Sequence, residues 1–99
     1  MKLAENIYTD IEKKKQFEKQ LEAVAKGEWS FPLFVVTYPV FSAGILEIYE
    51  YNELMQNFYR DYDDRIVILG MSRTKEGARQ VLMDILEEHI DAKGVFTWP

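Results

Sequence analysis

Residues 66–71 (IVILGM) form a short apolar run that constrains the fold more than any other part of the sequence. Side chains of a β-strand alternate between the two faces of a sheet, and here both alternating sets are apolar. A continuous apolar run of this length is typical of a strand that is buried on both sides. We therefore predict a central strand at residues 66–71.

A helix is predicted immediately after this strand. Ser72 or Thr74 can cap its N-terminus, and Lys93 and Gly94 are predicted to end it. Apolar residues recur at helical spacing along this segment, so one face of the helix should pack on the sheet. The apolar stripe consists of Ala78, Val81, Leu82, Ile85, Leu86 and Ile90.

Two further helices are predicted earlier in the chain. The first begins at Thr9, because Thr9 and Glu12 have the spacing of a capping box. It runs to about Lys26, and Gly27 suits a left-handed C-cap. A second, shorter helix is predicted at residues 52–62.

The remaining strands complete a small α+β domain. Residues 34–41 and 45–51 are rich in β-branched and aromatic residues and should form a hairpin. Pro39 cannot donate a ladder hydrogen bond, which favours an edge position or a bulge there. With an optional last strand at residues 95–98, the order is α-β-β-α-β-α(-β). We predict one domain over residues 1–99: a two-layer α+β sandwich with a mainly antiparallel sheet and its helices on one face.

The composition excludes several classes of protein. The chain of 99 residues has no cysteine, so disulfide bonds and thiolate-based metal or catalytic sites are ruled out. Its net charge of -5 argues against direct nucleic-acid binding and against adhesion to an anionic membrane. No apolar segment has the length of a signal-peptide core or of a membrane-spanning helix. These features predict a cytoplasmic protein with a basic protein partner.

No catalytic or metal-binding signature stands out. His89 is the only histidine, and its place near the end of the last helix favours a structural role. The cluster of Asp61, Asp63 and Asp64 lacks the spacing of an EF-hand loop and indicates a solvated turn. The segment after Gly70 matches neither a phosphate loop nor a dinucleotide fingerprint. We therefore predict no enzymatic activity, no metal and no cofactor.

The negative charge is concentrated in the middle of the sequence. Residues 30–64 hold one basic and six acidic residues, whereas residues 1–29 hold six of each and residues 65–99 five of each. Tyrosines, which are enriched at interfaces, alternate with these acids and predict a surface that docks a basic protein. The alternative is that the tyrosines pack in the core while the acids are only solvated. The predicted contact residues are Glu47, Tyr49, Glu50, Tyr51, Tyr59, Asp61, Asp63 and Asp64.

The predicted last helix carries its charges in the opposite sense to its macrodipole, with cations near its start and acids in its C-terminal half. Free N–H groups and cations at a helix N-terminus can bind a phosphate or a carboxylate. The alternative is that these exposed charges are screened by solvent and carry no function. The candidate anion-binding residues are Ser72, Arg73, Thr74, Lys75 and Arg79.

The segment from Phe34 to Ile90 resembles the HicB-type antitoxin family. In that family a hairpin is followed by a third strand that runs through a glycine and a short polar turn into an amphipathic helix. Gly70, Thr74, Glu76 and Ala78 stand in comparable places here. The resemblance implies a small, partly RNase-H-like α+β domain that neutralises a basic toxin nuclease by binding it.

The sequence therefore predicts a small acidic protein-binding module of antitoxin or inhibitor type. One alternative is an inhibitor of a nucleic-acid enzyme from a mobile element, of the anti-CRISPR or nucleic-acid-mimic type, in which carboxylates occupy a groove built for phosphates. Another is a binder of phosphate or other anions at the start of the last helix. A homodimer through an exposed sheet edge is also compatible with the sequence.

Overall fold

The computed structural model describes residues 1–40, 44–56 and 64–97, which form one four-stranded mixed sheet and three helices. This confirms the predicted α+β class. In chain order the elements are β1 (Lys2–Thr9), α1 (Lys14–Ala25), β2 (Phe34–Thr37), β3 (Glu47–Glu50), α2 (Tyr51–Leu54), β4 (Val67–Ser72) and α3 (Lys75–His89). None of the helices in these ranges is long and apolar enough to cross a membrane.

The sheet has the strand order β1-β4-β2-β3. β4 pairs antiparallel with β2 and parallel with β1, and β2 pairs antiparallel with β3. The apolar run at residues 66–71 is thus an interior strand, as predicted. β1 and β3 are the two edge strands.

The helices lie on both faces of the sheet, which differs from the predicted two-layer arrangement. Ile68 of β4 belongs to the same apolar cluster as Val24 of α1. Leu69, the next residue of β4, belongs to a second cluster with Val81 and Ile85 of α3. The physical reason is that β4 is apolar on both faces, so neither face can remain in water.

A bulge in β4 fits α3 against the sheet. Ile68 lies opposite Thr37 and Gly70 lies opposite Val36, so Leu69 is an extra residue in β4. Both Leu69 and Gly70 therefore face α3. A Cβ at Gly70 would lie only 2.5 Å from Val81 Cγ1, so the glycine allows the helix to approach the strand closely.

The N-terminal segment differs from the prediction, because residues 2–9 form a strand that the sequence did not reveal. Thr9 pairs with Met71 of β4, so it lies in β1 and does not cap a helix. Its Oγ1 accepts a hydrogen bond from Ile11 N (3.0 Å). α1 begins at Lys14, and Lys13 at the N-cap position makes no side-chain cap. Pairing with β4 therefore outweighs the local capping-box signal.

The predicted hairpin is present as β2 and β3. β2 ends at Thr37, so Pro39 follows the strand and does not lie in an edge strand. Residues 41–43 in the predicted connection lie outside the described part of the chain. α2 begins at Tyr51 and ends at Leu54, and residues 57–63 of the longer predicted helix also lie outside the described residues.

The last helix begins where the sequence predicts, and the segment that follows the helix differs from the prediction. Thr74 caps α3, because its Oγ1 accepts a hydrogen bond from Gly77 N (2.9 Å). In its described part, the predicted strand at residues 95–98 is reduced to one bridge between Ile90 and Phe96. A single bridge does not extend the sheet.

Candidate functional site

Glu47 and Tyr49, two of the predicted contact residues, lie on the edge strand β3. Glu47 Oε1 accepts hydrogen bonds from Val40 N (2.5 Å) and from the Tyr49 hydroxyl (2.9 Å). Tyr49 is half-buried and packs against the apolar cluster under α1. The Glu47 carboxylate thus holds the start of the β2–β3 connection against β3, in addition to contributing negative charge at the sheet edge.

Glu50 links β3 to α2. It is the N-cap of α2, and its carboxylate accepts hydrogen bonds from Glu53 N (3.0 Å) and from Asn52 Nδ2 (3.0 Å). Both donors are neutral, and Glu50 forms no ion pair with any residue in the described ranges. Within the described part of the chain, no cation therefore offsets the charge of this carboxylate.

Tyr51 lies in the core, which corrects its assignment to the docking surface. Its side chain is fully buried, and its hydroxyl donates a hydrogen bond to the backbone oxygen of Glu28 (3.0 Å). Burial raises the pKa of Tyr51, and the negative charge of Glu28 adds to this effect. For this residue, the alternative interpretation of the tyrosines as core residues is the correct one.

The other predicted acidic contacts are only partly described. Asp64 is exposed, just before the start of β4. Tyr59, Asp61 and Asp63 lie outside the described residues. Within residues 1–40, 44–56 and 64–97, no three His, Asp or Glu side chains are grouped in a way that could hold a metal ion.

The candidate anion-binding residues are divided between a pocket and the helix surface. Ser72 is buried, and its Oγ accepts a hydrogen bond from Thr74 N (3.2 Å). Arg73 is half-buried, and its Nε makes no hydrogen bond within the described part of the chain. Lys75 and Arg79 are exposed on α3. The five residues therefore do not converge on one position.

The start of α3 already has an acidic neighbour from the same chain. A Cβ added at Gly77 would overlap Asp10 Oδ2 and Ser72 Oγ, so the Asp10 carboxylate lies beside the first turn of the helix. Asp10 and Glu12 also line the adjacent pocket of about 330 Å³, together with Ser72, Arg73 and Thr74. Lys13 and Arg73 line the same pocket, so the two carboxylates already balance its cations and leave no net positive charge to attract a further anion, which disfavours the predicted anion site.

One group of titratable residues that the sequence did not reveal joins the two ends of the chain. The Tyr8 hydroxyl donates a hydrogen bond to the Glu88 carboxylate and lies 2.9 Å from His89 Nε2. The hydrogen bond to Glu88, followed by burial and the charge of Glu88, raises the pKa of Tyr8 to about 12. The hydrogen bond between Tyr8 and Glu88 connects β1 to the end of α3.

Replacing Tyr8 with phenylalanine should lower the free energy of unfolding at pH 7 by about 1 kcal/mol, because a hydrogen bond to a charged group is lost where solvent partly screens it. The raised pKa favours folding below the ordinary tyrosine pKa of 10.0, and this contribution disappears as the pH rises towards about 12. Urea unfolding of both proteins between pH 7 and pH 11 would test this. A stability difference that stays constant with pH would show that the Glu88 contact is not its source.

The loop of residues 26–33, here called the Ser30 loop, exposes two aromatic side chains. Trp29 is 71% exposed and Phe31 is 67% exposed. Ser30, between them, points inward, and its hydroxyl donates a hydrogen bond to Gln20 Oε1 (2.5 Å). The usual pattern of apolar residues inside and polar residues outside is therefore inverted at this loop.

Buried polar side chains hold the Ser30 loop in place. Asn52, which is 2% exposed, accepts a hydrogen bond from Ser30 N (3.1 Å) and donates one to the Ser30 backbone oxygen (2.5 Å). Tyr51 holds the backbone at Glu28, as described above. Because Asn52 also bonds Glu50, the loop lies next to the acidic end of β3.

A comparison of the chain with protein-family models, with curated proteins and with solved structures finds no match. The site is therefore defined by its own geometry. An edge strand and a short helix carry Glu47, Glu50 and Glu53, and the adjoining Ser30 loop carries Glu28 and two exposed aromatic rings. We define the acidic-aromatic surface as the set of Glu28, Trp29, Phe31, Glu47, Glu50 and Glu53.

Proposed function

We propose that the protein is a non-enzymatic module that binds a basic protein partner through the acidic-aromatic surface. The observation that carries the proposal is the state of the Glu50 carboxylate, which is fixed at the sheet edge by two neutral donors. A fixed carboxylate that has no cationic neighbour among the described residues is electrostatically complementary to a positively charged partner. It also loses little side-chain entropy on binding.

The charge distribution supports the same proposal. Residues 30–64 contain a single basic residue, Arg60, so the excess of acid at β3 and α2 is not balanced within that segment. Glu28 of the Ser30 loop adds to it and makes no ion pair with a described residue. Charge of one sign on a surface speeds association with an oppositely charged protein.

The proposed class of action is that of an antitoxin or inhibitor. A basic enzyme such as a nuclease has a positively charged groove for phosphates, and a rigid acidic surface can block that groove. Inhibition of this kind needs only binding, with no bond made or broken by the inhibitor. That the target is a basic enzyme is a prediction, and it rests on the same charge complementarity.

Neutralising the acidic-aromatic surface tests the proposal. The probe is a fluorescein-labelled (Arg-Gly-Ser)₃ peptide, and the variant is Glu28→Gln/Glu50→Gln/Glu53→Gln. Glutamine keeps a side-chain oxygen at position 50 for the N-cap hydrogen bond. We expect the peptide to bind the parent protein and the variant to bind about tenfold more weakly, since each surface ion pair contributes about 0.2 to 1 kcal/mol.

The matched control removes the same number of charges elsewhere, in the variant Glu12→Gln/Glu18→Gln/Glu87→Gln. It makes the net charge less negative by the same amount and should change the affinity by less than about twofold. Fluorescence anisotropy at two salt concentrations measures the affinity of the labelled peptide for both variants. Equal losses in the two variants would mean that the peptide senses only net charge, and the proposed docking site would be wrong.

A further inference from the structure

The Ser30 loop exposes two large aromatic side chains whose burial would stabilise the fold. Burying a large apolar side chain stabilises a fold, yet Trp29 and Phe31 remain 71% and 67% exposed. Among the described residues, no other large apolar side chain exceeds the 54% exposure of Val95. Aromatic residues, tryptophan above all, are enriched among the residues that contribute most to binding at protein interfaces.

The loop is held rigidly although its aromatic rings are in water. The Asn52 and Gln20 side chains hold Ser30, and the Tyr51 hydroxyl holds Glu28. These three anchoring side chains are each at most 8% exposed. A preorganised loop loses little conformational entropy on binding, so the aromatic contacts contribute to affinity almost fully.

Carboxylates next to the aromatic rings can pair with a cation. Glu28 lies in the loop. Glu50 is linked to the loop through Asn52, whose side-chain nitrogen donates hydrogen bonds to the Glu50 carboxylate and to the Ser30 backbone oxygen. Lys26 forms an exposed ion pair with Glu22, with Nζ 2.7 Å from Glu22 Oε1, and Glu28 lies near enough to add to the attraction. Trp29, Glu28 and Gln20 line a pocket of about 330 Å³ between the loop and α1, and Lys19 and Lys26 lie on its helix side. Aromatic faces next to carboxylates favour a guanidinium group, which stacks on the ring and pairs with the acid.

We propose that the Ser30 loop is the anchor for the basic partner, and that an arginine side chain of that partner stacks on Trp29 and pairs with Glu28. This inference rests on the proposed function and names the residues that dominate the contact. A second copy of the chain is disfavoured as the occupant, because it would bring Glu28 and Glu50 against the same carboxylates. Two side chains bury too little area for a stable interface alone, so β3 and α2 supply the remainder.

The test uses Trp29 as its own reporter. The chain has two tryptophans, so Trp98→Phe leaves Trp29 as the single emitter. We expect (Arg-Gly-Ser)₃ to change the emission of Trp29, and (Lys-Gly-Ser)₃ to bind several-fold more weakly, since an ammonium group stacks less well. In the original chain, Trp29→Ala/Phe31→Ala should weaken binding of the labelled arginine peptide about tenfold or more. The control, Ile45→Ala/Val95→Ala, removes exposed apolar side chains elsewhere and should leave the affinity within about twofold.

The outcomes separate this inference from the proposed function. If the arginine peptide binds but Trp29→Ala/Phe31→Ala does not weaken it, the anchor is overturned while the acidic docking surface stands. If neither peptide binds, both are overturned. A concentration-dependent dimer, or binding to phosphatidylcholine vesicles, that is lost in Trp29→Ala/Phe31→Ala would assign the rings to another occupant and overturn the anchor. Unchanged melting temperatures confirm that the variants are folded.

Discussion

Replacing Gly70 with alanine is expected to destabilise the protein by about 3 kcal/mol, the upper end of the usual range for overpacking a core. The new Cβ would lie 2.5 Å from Val81 Cγ1 and 3.1 Å from the backbone oxygen of Tyr8. Both neighbours are confined, because Val81 is buried on the side of α3 that packs on the sheet and Tyr8 belongs to the paired strand β1. The melting temperature should fall by about 12 °C or more, as judged by circular dichroism.

The double variant Gly70→Ala/Val81→Ala provides the control. Val81→Ala alone leaves a cavity and should cost about 2 kcal/mol. If the clash is the cause, alanine at position 81 makes room for the new methyl group. The double variant should then be more stable than the sum of the single effects predicts, by at least about 1 kcal/mol. Additive effects would place α3 farther from β4 than the structure has it.

Replacing Asn52 with alanine is expected to cost about 3 kcal/mol and to loosen the Ser30 loop. The change leaves the N–H and the carbonyl of Ser30 without their partner. Each unsatisfied group costs about 1 to 3 kcal/mol where water cannot take the place of the lost side chain. Asn52 is only 2% exposed, so water has little access to the site. Chemical denaturation measures the loss of stability. Amide hydrogen exchange at residues 29–31 measures the loosening of the loop.

The same substitution at an exposed site, Asn6→Ala, is the matched control and should change stability by less than about 0.5 kcal/mol. Asn52→Ala should also weaken binding of the arginine peptide, although Asn52 itself is buried. A variant with a destabilised fold but unchanged exchange at residues 29–31 would show that Asn52 does not hold the loop.

The sequence predicts correctly those elements in which the local preferences of the residues and their tertiary packing favour the same structure. The apolar residues of β4 are suited to a strand, and the sheet places that strand in its interior. The hydroxyl at Thr74 caps α3 by accepting a hydrogen bond from Gly77 N. The hairpin of β2 and β3 forms between segments that are close in the chain and rich in strand-forming residues.

β1 could not be predicted because its determinants lie elsewhere in the chain. Its pairing shifts between Leu3 and Tyr8, so its side chains do not alternate regularly between apolar and polar. Its partner β4 begins at Val67, far away in sequence. A capping-box pattern at Thr9 is a local signal of modest energy, and a strand pairing with several hydrogen bonds outweighs it.

The candidate site was predicted in part, and its aromatic component was missed. Charge counting located the acids at β3, because charge is a property of the sequence. It could not separate Tyr51, which is buried, from residues on the surface. Trp29 and Phe31 were missed because apolar residues are expected inside. One signal was available: both lie outside every periodic segment, on either side of a serine.

Chemical-shift mapping tests most directly whether the acidic-aromatic surface binds a basic partner. Unlabelled (Arg-Gly-Ser)₃ is added to ¹⁵N-labelled protein, and the shift of each backbone amide is followed. If the protein docks a basic partner there, the shifts should concentrate at residues 28–31 and 50–53 and diminish with added salt. Shifts confined to the start of α3, at residues 73–77, or the absence of any shift, would contradict the proposed binding surface.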